Sequence, residues 1–296
     1  MKVLLAIDPS GVSQNVMTAV AERPWPSGTS FCVIHVVDPA GFGRFAGLIE
    51  EAERSAKTLV KTAADKVARS GHATTSEVLI GFPRKAIAEY AKEWGADFIM
   101  VGSHGHKALT RFLLGSVALA VLRSAHCSVE IVRATPKDSP ASSHAMKILL
   151  ATDGSEGSQA AVKSLAARPW PSGSAVRIIS AVQLLVPENQ MSAASLSSVY
   201  PASLLEDVMN EARGRAQEAA ADARKTLLAS GLKLSQSETM PIGDPPVTIL
   251  NQATEWGADL IVLGSHGWRG IDRMLMGSVS ESVALHAHCS VEVIRA

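Results

Sequence analysis

An excess of charge of either sign is missing from this 296-residue sequence. Its 28 Lys and Arg residues are matched by 28 Asp and Glu residues, so the formal net charge is +0 at pH 7. Binding to nucleic acid or to an anionic membrane surface usually involves a basic patch or a polybasic stretch. The balanced composition indicates neither, and we therefore expect no nucleic-acid partner and no membrane partner.

Cysteines are few, and their positions do not suit cross-links or metal binding. The three are Cys32, Cys127 and Cys289, all in apolar strand-like runs and none in a CxxC motif. An odd number in this setting favours buried, reduced thiols over a disulfide framework. His126 and His288 precede two of them, but adjacent strand residues point to opposite faces and cannot easily share one ion. We therefore predict no metal site.

Long hydrophobic runs are also missing. The longest, such as those within residues 113–122, are much shorter than the ~20 apolar residues that span a membrane. The apolar run at residues 2–7 is too short for a signal peptide and is typical of a strand. Hydrophobic residues still make up 47% of the sequence, which is enough for folded cores. We therefore expect a cytoplasmic protein.

The sequence contains a duplication. The segments Lys2–Asp8 and Arg23–Gly28 recur as Lys147–Asp153 and Arg168–Gly173, in each case 145 residues further along. Landmarks later in each half, among them the two His-Cys pairs, recur at an offset of 162. A repeat of this length predicts two tandem domains with the same fold.

The change in offset, from 145 to 162, means that the second half carries a net 17 extra residues. They fall within residues 183–201, where Ser, Ala and Pro are typical of a long loop. The chain length suits two domains of ordinary size. We predict a first domain at 1–134, a Pro- and Ser-rich linker at 135–145 and a second domain at 146–296.

Strand-like and helix-like segments alternate within each half. Strands without strict polar alternation, each followed by a helix, indicate a parallel sheet covered on both faces. We therefore predict an α/β fold in which each domain has a five-stranded parallel sheet of order 3-2-1-4-5 with helices on both faces. In the first half the predicted strands are 2–7, 30–37, 75–80, 97–101 and 128–132, and the predicted helices are 10–22, 45–69, 83–94 and 116–124.

One glycine motif, Gly-x2-Gly-x9-Gly-Ser, occurs in both halves between a strand-like and a helix-like run. Glycines let the backbone approach an anion closely, and the N–H groups and dipole at a helix N-terminus favour negative charge. The motif therefore predicts phosphate binding, and two copies with the same spacing are hard to attribute to chance. The copies are Gly102, Gly105, Gly115 and Ser116 in the first half, and Gly264, Gly267, Gly277 and Ser278 in the second.

An aspartate ends the first strand of each half, Asp8 in one and Asp153 in the other. With the strand order 3-2-1-4-5, a ligand binds beyond the carboxyl ends of strands 1 and 4. The aspartate and the glycine motif should therefore meet in one crevice, where the carboxylate can accept hydrogen bonds from a ribose and the glycines take phosphates. The same aspartate could instead cap the following helix, and both roles stay open at this point.

Both halves resemble the universal stress protein family over nearly the whole chain. The resemblance rests on the glycine motif, the first-strand aspartate and the Gly-x-Pro…Ile…Ala-x-Glu…Ala-Asp-Leu/Phe-Ile stretches at 81–99 and 243–261. It implies a Rossmann-like, adenine nucleotide alpha hydrolase-like fold and, as in the ATP-binding branch of the family, a site for ATP with or without Mg²⁺.

The resemblance also implies how the nucleotide is held: adenine by backbone near the second strand, ribose by the aspartate and phosphates by the glycine motif. The implied binding residues are Asp8, Val36, Gly102, Gly105, Gly115, Ser116 and Val117 in the first half, and Asp153, Ala181, Gly264, Gly267, Gly277, Ser278, Val279 and Ser280 in the second.

Tandem members of the family pair their two domains through the last strands. The resemblance therefore implies intramolecular pairing through residues 128–133 and 290–295. A homodimer stays open as a further level of assembly.

The two copies of the motif are not equal. The second continues with Ser280 and Glu281, whereas the first has Ala118 and Leu119 and so lacks one hydroxyl that could donate to phosphate. Pro9 also stands in the first half where the second half has a glycine. We therefore predict that the second site binds nucleotide more tightly.

We expect an ATP-binding regulatory protein of the stress response with no catalytic residue. The sequence shows no legible Ser-His-Asp set, Walker lysine or carboxylate cluster for Mg²⁺. A slow ATPase of the same fold and a nucleotide-independent binding scaffold stay open as alternatives. We interpret His104 and His266 as polar loop residues, and Arg111 and Arg273 either neutralise phosphate charge or lie on a solvated helix face.

Overall fold

The structure is a computed structural model that describes residues 1–42, 46–104, 114–133, 145–182, 201–235, 241–267 and 276–296. The predictions for Gly105, Arg111 and Arg273, and nearly all of those for the linker and the 183–201 loop, lie outside these residues. In the part of the chain that the structure describes, no helix is both long and apolar enough to cross a membrane.

The first half alternates strands and helices in the predicted order, and the predicted ends differ from the observed ones by no more than two residues. Its elements are β1 (Lys2–Ala6), α1 (Val12–Glu22), β2 (Ser30–Val37), a short 3-10 helix (Pro39–Phe42), α2 (Ala46–Ala68), β3 (Ala73–Ile80), α3 (Pro83–Trp94), β4 (Phe98–Gly102), α4 (Ser116–Ser124) and β5 (Ser128–Val132).

The second half repeats this order. Its third helix, like α3, begins at a proline and ends before a glycine, where Gly95 and Gly257 have φ of 71° and 67°. A glycine in this left-handed conformation stops a helix at little steric cost. The elements are β6 (Lys147–Ala151), α5 (Glu156–Ala167), β7 (Ala175–Ile179), α6 (Ala202–Ala229), β8 (Lys233–Leu234), α7 (Pro245–Trp256), β9 (Leu260–Gly264), α8 (Ser278–His286) and β10 (Ser290–Ile294).

The strands form one ten-stranded sheet in the order β3-β2-β1-β4-β5-β10-β9-β6-β7-β8. Within each half all pairs are parallel and the order is 3-2-1-4-5, so the predicted fold class is confirmed. The junction of β5 and β10 is antiparallel, and we call it the seam. Its register places Val129, Glu130 and Ile131 opposite Val293, Glu292 and Val291.

Helices cover both faces of the sheet. On one face α1 and α2 pack on Val3 and Leu5 of β1, while α5 and α6 pack separately on Ile148 and Leu150 of β6. On the other face α3, α4, α7 and α8 share a single apolar cluster that contains buried residues of both halves. The core on this second face therefore runs across the seam without interruption.

Two arginines reach across the seam in a reciprocal way. Nη2 of Arg133 donates to the carbonyl of Ala284 at 2.7 Å, and Nη2 of Arg295 donates to the carbonyl of Leu122 at 2.9 Å. Both carbonyls lie in the last turn of a helix, where they have no partner within the helix. Each half thus caps the last helix of the other half.

Two buried glutamates and two largely buried arginines lie at the middle of the seam. Arg23 donates to both carboxylate oxygens of Glu130 at 2.6 and 2.7 Å, and Arg168 binds Glu292. Both glutamates are 0% exposed, and they lie opposite one another in the β5–β10 register. Like charges directly opposite in a sheet are destabilising, so each carboxylate depends on its arginine.

Glu292 is the less satisfied of the two carboxylates, because its Oε2 has no hydrogen-bond partner among the described residues. Burial raises the pKa of Glu292 above its ordinary value of 4.5; Arg168 opposes this rise, and the facing Glu130 adds to it. A carboxyl with a raised folded pKa holds its proton more tightly in the folded than in the unfolded state. Its contribution to stability therefore falls as pH rises above the ordinary value.

We predict that Glu292→Gln removes this part of the pH dependence. Free energies of unfolding from urea titrations between about pH 4 and about pH 8 should show a smaller decline with rising pH than in the wild type. Glu51→Gln is a suitable control, since Glu51 forms an exposed ion pair with Arg54. A slope that Glu292→Gln leaves unchanged would contradict the assignment.

Candidate functional site

The candidate site lies where the first and fourth strands of each half end side by side. β1 pairs with β4 and β6 pairs with β9, all in parallel, so their carboxyl ends meet at the same edge of the sheet. Asp8 follows β1 closely, and Gly102 is the last residue of β4. Asp153 and Gly264 hold the same places in the second half. The predicted aspartates and glycine motifs are thus brought together.

Asp8 shapes the turn that leads into α1. Its Oδ1 accepts hydrogen bonds from the backbone N–H of Ser10 at 3.1 Å and from the hydroxyl of Ser13 at 2.8 Å, and the Ser10 hydroxyl also donates to it. The residue before α1 is Gly11, which makes no side-chain cap. The half-buried carboxylate of Asp8 therefore orders the turn ahead of the helix.

Asp153 does the same in the second half but is exposed. Its Oδ1 accepts from the backbone N–H of Ser155 at 3.0 Å and from the Ser155 hydroxyl at 2.5 Å. The cap of α5 is Ser155, whose side chain accepts from the N–H of Ser158 at 3.3 Å. Of the two roles that the sequence left open for Asp153, the capping role therefore belongs to its neighbour.

The third glycine of each motif forms the turn before a helix. The N–H of Gly277 donates to the carbonyl of Ser265 at 2.8 Å, and the N–H of Gly115 donates to the carbonyl of Ser103 at 2.7 Å. A Cβ at Gly277 would lie 3.0 Å from that Ser265 oxygen. The close backbone contact thus depends on the absence of a side chain.

The helices that follow begin at the predicted phosphate-binding residues. Gly115 and Gly277 are the N-cap residues of α4 and α8, and neither helix has a side-chain cap. The first N–H groups of a helix have no intrahelical acceptor. Ser116 and Ser278 are exposed at these N-termini, and Val117 and Val279 beside them are half-buried.

In the second half the end of β9 lies directly against the start of α5. A Cβ at Gly264 would come within 2.5 Å of the Gly157 carbonyl oxygen, and a Cβ at Gly157 would lie 2.5 Å from the His266 oxygen. A Cβ at Gly267 would lie 2.6 Å from Oδ2 of Asp153. Three glycines therefore let the strand-4 turn, residues 264–267, contact the first-strand turn.

The first half has a valine at the matching position. Val12 stands where the second half has Gly157, and a Cβ at Gly102 would lie 3.0 Å from Cγ1 of Val12. A side chain thus separates the two turns in the first half. This difference is visible when Asp-Pro-Ser-Gly-Val-Ser is written above Asp-Gly-Ser-Glu-Gly-Ser, but spacing alone does not say that the position touches the glycine motif.

Ser280 is buried, and its hydroxyl forms hydrogen bonds with backbone carbonyls. It donates to the carbonyl of Gly264 at 2.7 Å and also lies 3.2 Å from the Ser265 oxygen. Ala118 holds the same place in the first half and has no hydroxyl. Glu281 forms an ion pair with Arg123 of the first half. Ser280 therefore holds the strand-4 turn of the second half in place, and Glu281 links the two halves.

The residues predicted near adenine lie at the ends of the second strands. Val36 is buried near the end of β2, opposite Leu79 of β3. Ala181 is half-buried and follows β7, next to Val182, which forms an isolated bridge with Ile242. Both positions flank the crevice on the side of the second strand.

The histidines of the motif have local partners. Nδ1 of His104 lies 2.8 Å from the Ser103 hydroxyl, and Nδ1 of His266 lies 3.0 Å from the Ser265 hydroxyl. Each ring nitrogen therefore lies beside the serine that precedes it in the chain. Among the described residues, no group of three or more His, Cys, Asp or Glu side chains could hold a metal ion.

Beside Asp8, a small cavity of about 80 Å³ lies between α1 and α2. Its polar lining includes Gln14, Thr62 and Lys66. Ligand pockets usually enclose roughly 300–1,000 Å³, so this cavity could take only part of a nucleotide.

Both halves of the chain are similar to known proteins. Residues 1–133 and 145–295 each match the model of the universal stress protein family. Universal stress protein Sll1388 of Synechocystis is 27% identical over 149 residues, which is 45% of this chain and 97% of that protein. Universal stress protein Rv2005c of Mycobacterium tuberculosis is 28% identical over 236 residues, 74% of this chain and 68% of the relative.

A solved structure agrees over the whole chain. A universal stress protein from Archaeoglobus fulgidus superposes with a TM-score of 0.64 and 22% identity, covering 99% of this chain and 96% of that one. At this identity the likeness concerns the fold alone.

Proposed function

This chain belongs to the universal stress protein family, and on that premise we propose that it is an ATP-binding regulatory protein with one nucleotide site in each half. The observation that carries the proposal is the meeting, in both halves, of a first-strand carboxylate with a glycine turn that opens a helix. A carboxylate beside an anion-binding turn suits a ligand that joins a sugar to phosphates.

The phosphate side of each site fits an anion. α4 and α8 begin directly after the turn glycine, so their first N–H groups and the positive end of the helix dipole face the crevice. The close backbone contact at Gly277 requires the absence of a side chain, since a Cβ there would lie 3.0 Å from the carbonyl oxygen of Ser265. Ser116 and Ser278 are exposed and add hydroxyls at the same N-termini.

In our proposal the aspartates accept hydrogen bonds from the ribose, and backbone near Val36 and Ala181 holds the adenine. Gly102, Gly115 and Val117 serve the phosphates in the first half, and Gly264, Gly267 and Val279 serve them in the second. Mg²⁺ would arrive with the phosphates, because no described cluster of side chains holds a metal by itself.

We propose binding rather than efficient catalysis. Four serine hydroxyls around the site are committed to structure: those of Ser10 and Ser13 bind Asp8, that of Ser155 binds Asp153, and that of Ser280 binds Gly264. Groups held in this way order the turns and are poorly placed to act as nucleophiles. The ligand state would then act on shape or on partner choice.

We predict that saturating ATP stabilises the protein and that the second half contributes more, because the Ser280 hydroxyl holds the turn at Gly264 in place and the first half has Ala118 at that position. A ligand at a hundred times its Kd adds about 2.7 kcal/mol for one site. In calorimetric titrations Gly277→Val should remove the tighter site and Gly115→Val the weaker one, because a side chain at either glycine obstructs the turn. Equal losses from both variants would contradict the asymmetry.

Gly214→Val is the matched control for this experiment. Gly214 lies in α6, and a Cβ there meets nothing within 4 Å, so ATP binding should be unchanged. Phosphate release above that of Gly277→Val would indicate a slow ATPase. Purified wild-type protein that carries no nucleotide and is not stabilised by ATP would favour the scaffold alternative.

We also propose that the two halves associate in solution through their last strands. The antiparallel register of β5 and β10, the reciprocal caps by Arg133 and Arg295 and the continuous cluster on one face support this. The seam is self-complementary, as expected of an interface between two related surfaces.

Cleavage of the linker tests this association. With a specific protease site inserted within residues 135–144, the cut halves should stay together in gel filtration and separate only in denaturant. The shared apolar cluster and the reciprocal caps by Arg133 and Arg295 do not depend on the covalent link. Halves that elute separately in native buffer would contradict the proposed association.

A further inference from the structure

The two ends of the ten-stranded sheet differ in how much strand edge they leave open. β3 pairs with β2 along all 8 of its residues, whereas β8 at the other end has only 2 residues. Among the described residues, no strand pairs with the outer side of β3. A long open edge is a template for a further strand, so the outer side of β3 is a candidate interaction surface.

Every second residue of β3 directs its backbone groups outward. The N–H of Gly81 donates to the carbonyl of Val37 in β2 at 3.0 Å, so the odd-numbered residues of this segment bond inward. The N–H and C=O groups that point away from the sheet belong to the even-numbered residues Thr74, Ser76, Val78 and Ile80. Proline, lysine and arginine, which commonly protect an edge strand, do not occur in β3.

The helix α2 lies over β2 and β3 on one face of the sheet and presents one flank beside this edge. Thr62 and Lys66 line the small cavity next to α1, so their flank faces the middle of the sheet. Lys57, Lys61 and Asp65 occupy the other flank of the helix and are exposed. These three charged side chains therefore border the open edge of β3.

The space beside α2 has the width that a second α2 would fill. Because α2 packs on β2 and β3 alike, its axis lies near the midline between these strands. Strands are about 4.8 Å apart, so pairing β3 with β3 of a second copy would place the two α2 axes about 9.6 Å apart. Packed helices are about 8–10 Å apart. A second copy would thus fill both the edge and the space beside α2, whereas a lone extended peptide would fill the edge alone.

We propose that this protein forms a homodimer in which β3 pairs antiparallel with β3 of a second copy, about a two-fold axis at Ser76. In this register Thr74 lies opposite Val78 of the second copy, and Thr75 lies opposite Glu77. Such cross-strand pairs are favourable, and equal charges do not face one another directly. Since only one of the two described edges is long, the assembly closes as a dimer instead of continuing as a filament.

The charges of α2 favour the same arrangement. Ser76 lies about 10 Å along β3, and this rise corresponds to about seven residues of helix. Counting back from the end of α2 at Ala68 therefore places Lys61 level with the two-fold axis. Lys57 and Asp65 are equidistant from Lys61, so the axis brings Lys57 of each copy beside Asp65 of the other. The net charge of +0 adds no long-range repulsion between copies.

Sedimentation of the full chain tests the dimer. At protein concentrations from about 0.1 to about 100 µM, which bracket a micromolar Kd, the wild type should show an equilibrium between monomer and dimer. Ser76→Pro removes an N–H that points outward, and an edge strand tolerates proline at such a position. Two donors are lost per dimer, so the Kd should rise by about tenfold or more.

Ser76→Thr is the matched control, because it keeps the backbone donor and should keep a Kd close to that of the wild type. Both variants should retain the circular dichroism spectrum of the wild type. A wild type that stays monomeric at every concentration, or a dimer that Ser76→Pro leaves unchanged, would overturn the inference.

Charge exchange on α2 tests the antiparallel arrangement. Lys57→Asp and Asp65→Lys each place like charges side by side, so each variant alone should dimerise more weakly than the wild type. An equal mixture of the two variants restores both charge pairs and should associate with a Kd near that of the wild type. Lys66→Asp makes the same charge change on the flank that faces α1 and should leave dimerisation unchanged. A mixture that associates no better than either variant alone would overturn the arrangement.

Discussion

The pairing of the first strand with the fourth is the constraint on which the site depends. Because β1 lies beside β4, and β6 beside β9, residues more than ninety positions apart end at the same edge of the sheet. The order 3-2-1-4-5 follows from right-handed crossovers that carry the chain outward in both directions from the first strand. A carboxylate and a glycine turn meet there, at the point where the connections diverge and leave an open crevice.

Duplication has kept this architecture while the contacts within it have diverged. Asp8 and Asp153 close equivalent turns through equivalent serines, and the turns at Gly115 and Gly277 make the same hydrogen bond. The differences lie at Val12 and Gly157, where the start of the first helix of each half approaches the end of its fourth strand. Substitutions there leave the strands and helices intact, because they change only how closely two turns approach. One fold therefore accommodates different backbone contacts at equivalent turns.

At the seam each half buries one carboxylate, and each carboxylate is paired with an arginine of its own half. Isolated carboxylates in an apolar strand carry a large desolvation cost, and facing carboxylates repel. Arg23 and Arg168 offset both effects for Glu130 and Glu292. Such pairs add less net stability than their geometry suggests, but removing one partner costs about 3–5 kcal/mol. The arginines come from the Arg-Pro-Trp-Pro segments, so a repeated loop is tied to the middle of the sheet.

The sequence by itself determined the duplication, the fold class, nearly every element of the first half and the grouping of aspartates with glycines, because hydrophobic period and glycine spacing are local signals. Other features required the tertiary structure. That Ser280 braces Gly264, that Ser155 rather than Asp153 caps α5, and that Gly157 touches the strand-4 turn all depend on distances between residues far apart in the chain. The partners of the buried glutamates also required the tertiary structure, because the sequence does not show which distant arginine folding brings beside each carboxylate.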